Sequence, residues 1–198
     1  MVHKVVDLSE EELARIRSLV GEAFVGNALF ANWGSEEERR SSVLLYMSLY
    51  VDFVYEAGCL YSNDSGTGFI GLQPSFGSRK WPQVKMLFRM VRRLGVSRLR
   101  PLLSFVREIS GSNSAYASRP HIDCLMVCVD PACQGAGIAR SLVEFAMDMA
   151  SSSGVPLLFD TDMPEYASMY QHLGCRLYNS VTASNGVTRY SLVWEKQG

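Results

Sequence analysis

The stretch VDPACQGAGIAR, Val129 to Arg140, separates the apolar run HIDCLMVCV from a second one, SLVEFAMDMA. The first has the length of a buried strand; the second has the spacing of an amphipathic helix. A further apolar run, PLLFD, follows. Strand, small-residue loop, helix and strand make a βαβ unit, so part of the sheet has to be parallel. The ordering also restricts function. Glycines between a strand end and a helix start let backbone N–H groups approach an anion.

The rest of the chain supplies hairpins and helices. HKVV reads as a short strand. Ser9 with Glu12, and Ser35 with Glu38, have the capping-box spacing that opens helices. The first helix carries Leu13, Ile16, Leu19, Val20 and Phe24 at helical spacing, and the second runs to about Ala57. CLYS and TGFIGL flank the turn-rich NDSG and read as a hairpin. WPQVKMLFRMVRRLG and SRLRPLLSFVREIS read as two amphipathic helices, and GSNSAYASRP as a linker. A helix over 164–173 and a last hairpin turning at SNG complete the chain. The expected fold class is α/β (α+β): one domain over 1–198, with a central mixed, mostly antiparallel sheet flanked by helices. A helical insertion at about 79–119 precedes the fourth strand.

Composition excludes several classes. No apolar run reaches the roughly 18 residues of a membrane span. The start, MVHKVVDLSEEE, has no basic region followed by an apolar one, so no signal peptide is expected. Five cysteines, an odd number without CxxC, suit free thiols in a reducing cytoplasm. The three histidines are not at ligand spacing from them, so no metal is expected. The net charge of −1 conceals a division. Arg79 to Arg119 holds ten Lys/Arg and one acid, whereas 1–78 has five bases and eleven acids and 120–198 has four and eight.

That basic segment carries two stripes. Val84, Leu87, Phe88, Val91 and Leu94 face one way, with Lys85, Arg89, Arg92 and Arg93 mostly off them. Leu99, Leu102, Leu103 and Val106 repeat the pattern against Arg98, Arg100 and Arg107. The overall charge is near neutral and the core needs both stripes, so the basic faces are expected to be solvated and neither a membrane nor a nucleic acid is expected as a partner. A second reading gives the cations a role, drawing an acceptor that bears a carboxylate or phosphate.

Three phosphate-binding loops compete for QGAGIA. A P-loop requires GxxxxGK[ST], which is absent. A dinucleotide fold requires GxGxxG directly after the strand. Gly135 and Gly137 supply GxG, and Asp160 could imitate the ribose-binding acid. However, Arg140 stands at the third small position, and DPACQ separates strand from glycine. The third option fits. QGAGIA resembles the [QR]xxGx[GA] motif of the GCN5-related N-acetyltransferase (GNAT) superfamily, with Gln134, Gly137 and Ala139 at the defining positions. MYQHLGC is similar to the family's LYxxLGF segment through Met169, Tyr170, Leu173 and Gly174. The helical material before the fourth strand resembles the puromycin N-acetyltransferase-like branch. Three positions depart from the pattern: Ala136 lacks the family's frequent Lys or Arg, Tyr166 replaces an asparagine, and Cys175 replaces a phenylalanine.

The resemblance implies acetyl-CoA as co-substrate and a primary amine of a small molecule as acceptor, joined by direct attack in a ternary complex. Gln134, Gly135, Ala136, Gly137, Ile138, Ala139 and Arg140 would hold the pyrophosphate. Val127, Cys128 and Val129 would line the cofactor's arm, with Val127 and Val129 N–H groups facing the carbonyl. Tyr170 takes the general-acid position and protonates the departing thiolate. The base is open between His121, better matched to neutral pH, and Asp123. Strand alternation puts His121, Asp123, Leu125 and Val127 on one face and Ile122, Cys124, Met126 and Cys128 on an apolar core face. Cys128 and Cys133 read as core and loop thiols. An O- or longer-chain acyltransferase, or a non-catalytic acyl-CoA-binding domain, is the alternative. Whether the chain forms a homodimer is left open.

Overall fold

A computed structural model describes residues 1–76, 81–109, 116 and 118–196. Arg79, Lys80 and most of the 111–120 linker lie outside the described residues. The chain runs β1 (Val2–Lys4), α1 (Glu10–Phe24), a 3₁₀ turn (Ala28–Trp33), α2 (Glu36–Glu56), β2 (Leu60–Asn63), β3 (Gly68–Pro74) and α3 (Trp81–Ile109). It continues through β4 (Ile122–Val129), a second 3₁₀ turn (Pro131–Cys133), α4 (Ile138–Ser153), β5 (Leu157–Thr161), α5 (Pro164–His172), β6 (Arg176–Thr182) and β7 (Thr188–Trp194). Among the described residues, seven strands form one sheet in the order β1-β2-β3-β4-β5-β7-β6, and of these only β4 and β5 pair in parallel, as the crossover through α4 demands. The mixed, mostly antiparallel sheet and the helical material before β4 match the expected fold class.

Both capping boxes form. Ser9 accepts from the Glu12 N–H and Ser35 from the Glu38 N–H, and each glutamate side chain accepts from its cap residue's N–H. One core lies between the sheet and α1–α2, with Val20, Phe30, Val43, Val54 and Leu60 fully enclosed. A second lies under α4 and α5, around Ile70, Leu142, Ala146, Leu157 and Leu192.

Two sequence expectations need correction. The first concerns β4. Its register with β3 slips between Gly71, opposite Met126, and Leu72, opposite Cys124, leaving Leu125 as an extra residue. A bulge of this kind reverses the side-chain alternation beyond it. Ile122 and Cys124 therefore pack on the α4–α5 side, while Met126 and Cys128 pack on the α1–α2 side. The four do not share a face. The Tyr50 hydroxyl, from α2, donates to the Leu125 carbonyl at 3.2 Å and satisfies the bulged residue.

The second concerns the insertion. Two helices meet at Gly95, whose φ of 76° and ψ of 158° break the helical path. In the first, Pro82 and Met90 are buried, and Met86 and Leu94 pack partly beside α2. Val84, Leu87, Phe88 and Val91 face solvent, so four of the five stripe residues are not core. In the second, Leu99, Leu102, Phe105 and Ile109 are buried, while Leu103 and Val106 are partly exposed. The Trp33 indole N–H anchors this half on the Arg98 carbonyl at 2.8 Å.

Candidate active site

The loop before α4 comes from consecutive residues. Asp130 accepts from the Ala132 N–H at 3.0 Å and sets the turn that leaves β4. Gly135 and Gly137 have φ of 80° and 76°, a region that glycine alone enters without strain. A Cβ built at either would meet nothing within 4 Å, so both open to space rather than to packing. Gly137 caps α4 without any side-chain hydrogen bond, unlike Ser9 and Ser35. The first N–H groups of a helix have no partner within it. Here the positive end of the dipole faces an exposed, small-residue rim. That arrangement fits a pyrophosphate. It also matches the loop over Gln134 to Arg140 that the sequence singles out.

A cleft of about 460 Å³ opens beside β4 and β5. Its cause is topological. The two strands pair only over Ile122–Cys124 and Leu157–Phe159, and beyond them β4 follows β3 while β5 follows β7. Ligands of sheets with parallel strands favour the carboxyl ends of those strands. Met126 and Val127 line the cleft beyond the split; Cys128 is buried, and neither it nor Val129 lines the cleft. Burial lifts the Cys128 thiol to about 12, which suits a core thiol rather than a nucleophile.

Tyr170 enters from α5. Its ring stacks on Phe159 with centroids 4.5 Å apart, and the residue lines the cleft. Burial pushes its phenol well above the usual range, so its proton is retained at neutral pH. Asp123 lines the same cleft from β4. Burial raises its carboxyl pKa, opposed by His121 and reinforced by the charge of Asp160. A raised carboxylate is a stronger proton acceptor than a free one. His121 does not line the cleft. It is buried behind Asp123, with Nε2 3.4 Å from Oδ2 and Nδ1 2.7 Å from the Arg119 carbonyl oxygen. Of the two candidate bases, the geometry brings only Asp123 to the cleft.

Several lining residues carry no motif. Asp160 and Asp162 stand at the end of β5, and Arg189 reaches in from β7. Arg189 grips Asp162 with two bonds of 2.6 and 2.9 Å and lies 3.9 Å from Asp160, which also accepts from the Ser191 hydroxyl. Three carboxylates against one guanidinium leave this end acidic. Tyr46, Tyr50 and Tyr166 add aromatic walls. Alternation along LFDTD at the end of a strand parallel to β4 is the one sequence signal for the acid pair. Nothing in sequence ties Arg189 or the α2 tyrosines to it. Among the described residues, no cation of α3 lines the cleft; Val106 is that helix's contribution. Lys85 and Arg89 instead pair with Glu56, at 2.7 and 3.1 Å. Among the described residues the charged lining of the cleft is therefore mainly acidic, which does not favour the reading that gives the α3 cations a role there.

Among the described residues, no group of three or more His, Cys, Asp or Glu is placed to hold a metal, and no helix is long and apolar enough to cross a membrane. Residues 94–175 match the family model described as the acetyltransferase (GNAT) family. No curated protein sequence is significantly similar to this chain. Solved structures resemble it along its whole length. An apo-form agmatine N-acetyltransferase variant aligns with TM-score 0.64 at 15% identity, covering 99% of each chain. A Corynebacterium glutamicum structure described as histone acetyltransferase HPA2 and related acetyltransferase gives 0.61 at 13% identity, covering 100% of this chain and 96% of its own. A Drosophila melanogaster polyamine N-acetyltransferase, which forms N-acetylagmatine, gives 0.57 at 14%, covering 99% of each. The fold and the family match define an acetyl-CoA-dependent N-acetyltransferase as the class. A GNAT-type acetyltransferase match is thus carried by residues 94–175, and the fold by the whole chain.

Proposed function

We propose that the protein transfers an acetyl group from acetyl-CoA to a primary amine of a small, positively charged molecule. The observation that carries this reading is the cleft at the β4–β5 split, lined by three carboxylates, on the same strand that runs on into the small-residue loop and the α4 N-terminus, which has no side-chain cap. The amine acetyltransferases among the structural neighbours support it, and the helical α3 before β4 supports a place in the puromycin-like branch.

Bound acetyl-CoA would supply a thioester whose acetyl passes to the amine as a thiol is released. The N–H groups from Gly135 to Arg140 would hold the pyrophosphate, and the edge of β4 that β5 leaves unpaired beyond the split, at Val127 to Val129, would take the arm. Asp123 Oδ2 accepts the proton of the incoming ammonium, directly or through a water. His121 orients that carboxylate and opposes its neutralisation. The Tyr170 hydroxyl would give its proton to the departing sulfur and recover one from the nitrogen as the amide forms. Asp160 and the Asp162–Arg189 pair hold the acceptor's remaining positive charge. A free alkylamine with pKa about 10.4 arrives protonated, so an acidic cleft both attracts it and can deprotonate it.

Release of free thiol from acetyl-CoA, followed with and without a panel of amines, tests this. Amine-dependent release, with a mass gain of one acetyl on the amine, is the expected result. Binding of acetyl-CoA without turnover of any amine would support the non-catalytic alternative.

A further inference from the structure

The first half of α3 turns an apolar face to solvent. Trp81 is 73% exposed, Phe88 68%, Val84 56% and Leu87 49%, with Val91 beside them. Spacings of three, four and seven residues align them along one side of the helix. The opposite side, Pro82, Met86 and Met90, is the one packed on the protein. A contiguous exposed stripe with two aromatics marks a contact surface.

Charge says what covers it. Arg92 and Arg93 on the same helix are exposed and have no ion pair among the described residues, unlike Lys85 and Arg89. The whole 79–119 segment is net +9 in a chain otherwise acidic on both sides. An isologous contact with a second copy would bring these cations against their own equivalents, at a cost. An anionic surface would be attracted to them. A helix with Trp, Phe and Leu on one face and Lys/Arg on its flank has the composition of one that lies in a lipid interface.

We infer that this half of α3 docks the protein on an anionic lipid surface, with Trp81, Leu87 and Phe88 entering the headgroup boundary and Arg92, one turn from Phe88, meeting lipid phosphates. This departs from the sequence expectation of no membrane partner, which rested on a near-neutral overall charge and on the core using the stripe; the charge is instead concentrated on this segment. It does not depend on the acetyl-transfer reading.

Vesicle co-sedimentation of the full chain tests it. Binding is expected to phosphatidylcholine vesicles containing about 30 mol % phosphatidylglycerol, weakening as salt rises, and not to pure phosphatidylcholine. Phe88→Asp should weaken binding at least about tenfold and Arg92→Gln about fivefold, with Arg93→Gln, on the opposite side of the helix, having less effect. These positions are exposed, so the variants should fold, with turnover of a soluble amine unchanged. Trp33 is buried and Trp194 half-buried, so a blue shift of tryptophan emission on adding anionic vesicles, absent in Trp81→Phe, reads this face directly. No binding to anionic vesicles would overturn the proposal. So would binding that Phe88→Asp leaves intact, or self-association lost in Phe88→Asp without any lipid binding.

Discussion

The loop before α4 draws its groups from seven consecutive residues, Gln134 to Arg140, and its working parts are backbone N–H groups. The acidic end of the cleft draws Asp123 from β4, Asp160 and Asp162 from the end of β5, Arg189 from β7 and tyrosines from α2 and α5. The two regions also have opposite polarity: a helix dipole and open N–H groups at the loop, excess carboxylate in the cleft. In the proposed reading, recognition of a pyrophosphate can be local. Recognition of an acceptor has to be assembled across the fold, so it can change without disturbing the loop.

Gly137→Glu breaks one end alone and should have the largest effect. It forces a side chain into a left-handed position and sets a carboxylate beside the pyrophosphate, where like charges cost several kcal/mol. Acetyl-CoA affinity should fall roughly a thousandfold and thermal stabilisation by the cofactor should vanish. An unchanged shift in that variant would place the cofactor elsewhere.

Tyr170→Phe separates chemistry from binding. It keeps the ring stacked on Phe159 and removes the proton. Loss of a general acid costs about a hundredfold or more in kcat, with acetyl-CoA affinity unaltered. Full activity would reduce Tyr170 to a packing residue.

Asp160→Asn acts on the other end. For an acceptor with a second positive charge, KM should rise about tenfold, the scale of a lost charged hydrogen bond. A singly charged amine should feel it much less. Equal losses on both would mean that Asp160 maintains the Ser191 and Arg189 contacts rather than holding the acceptor.

The smallest effect concerns Asp123. Its folded pKa is raised by burial, so its ionised form costs stability above that pKa, and the cost disappears as pH falls through it. Asp123→Asn should therefore melt higher than the parent at neutral pH and lose the advantage in acid. Its rate should fall most at low pH and recover as pH rises. A melting difference constant with pH would contradict the raised pKa, and a parental rate profile would remove Asp123 as base.

The same contrast explains what the sequence reveals. The βαβ unit, both capping boxes, the hairpins and the loop follow from residues within a few positions of one another, and all are present. Tyr170 is legible because its LYxxLGF-like segment is local. The face assignment along β4 fails because the extra residue at Leu125 is a property of the pairing with β3, held by a tyrosine 75 positions away. His121 and Asp123 look equivalent from alternation, yet only the fold shows one in the cleft and one behind it. The α3 stripe misleads for another reason: periodicity shows that a face is apolar but not what it rests against.

Turnover of putrescine against γ-aminobutyrate, by thiol release from acetyl-CoA, tests the acidic acceptor end most directly. Both carry a primary amine on a four-carbon chain; one ends in a cation, the other in a carboxylate. An acidic cleft predicts kcat/KM at least about tenfold higher for the diamine, a preference that shrinks as salt rises. Preference for γ-aminobutyrate would contradict the account and return the acceptor to the basic face of α3.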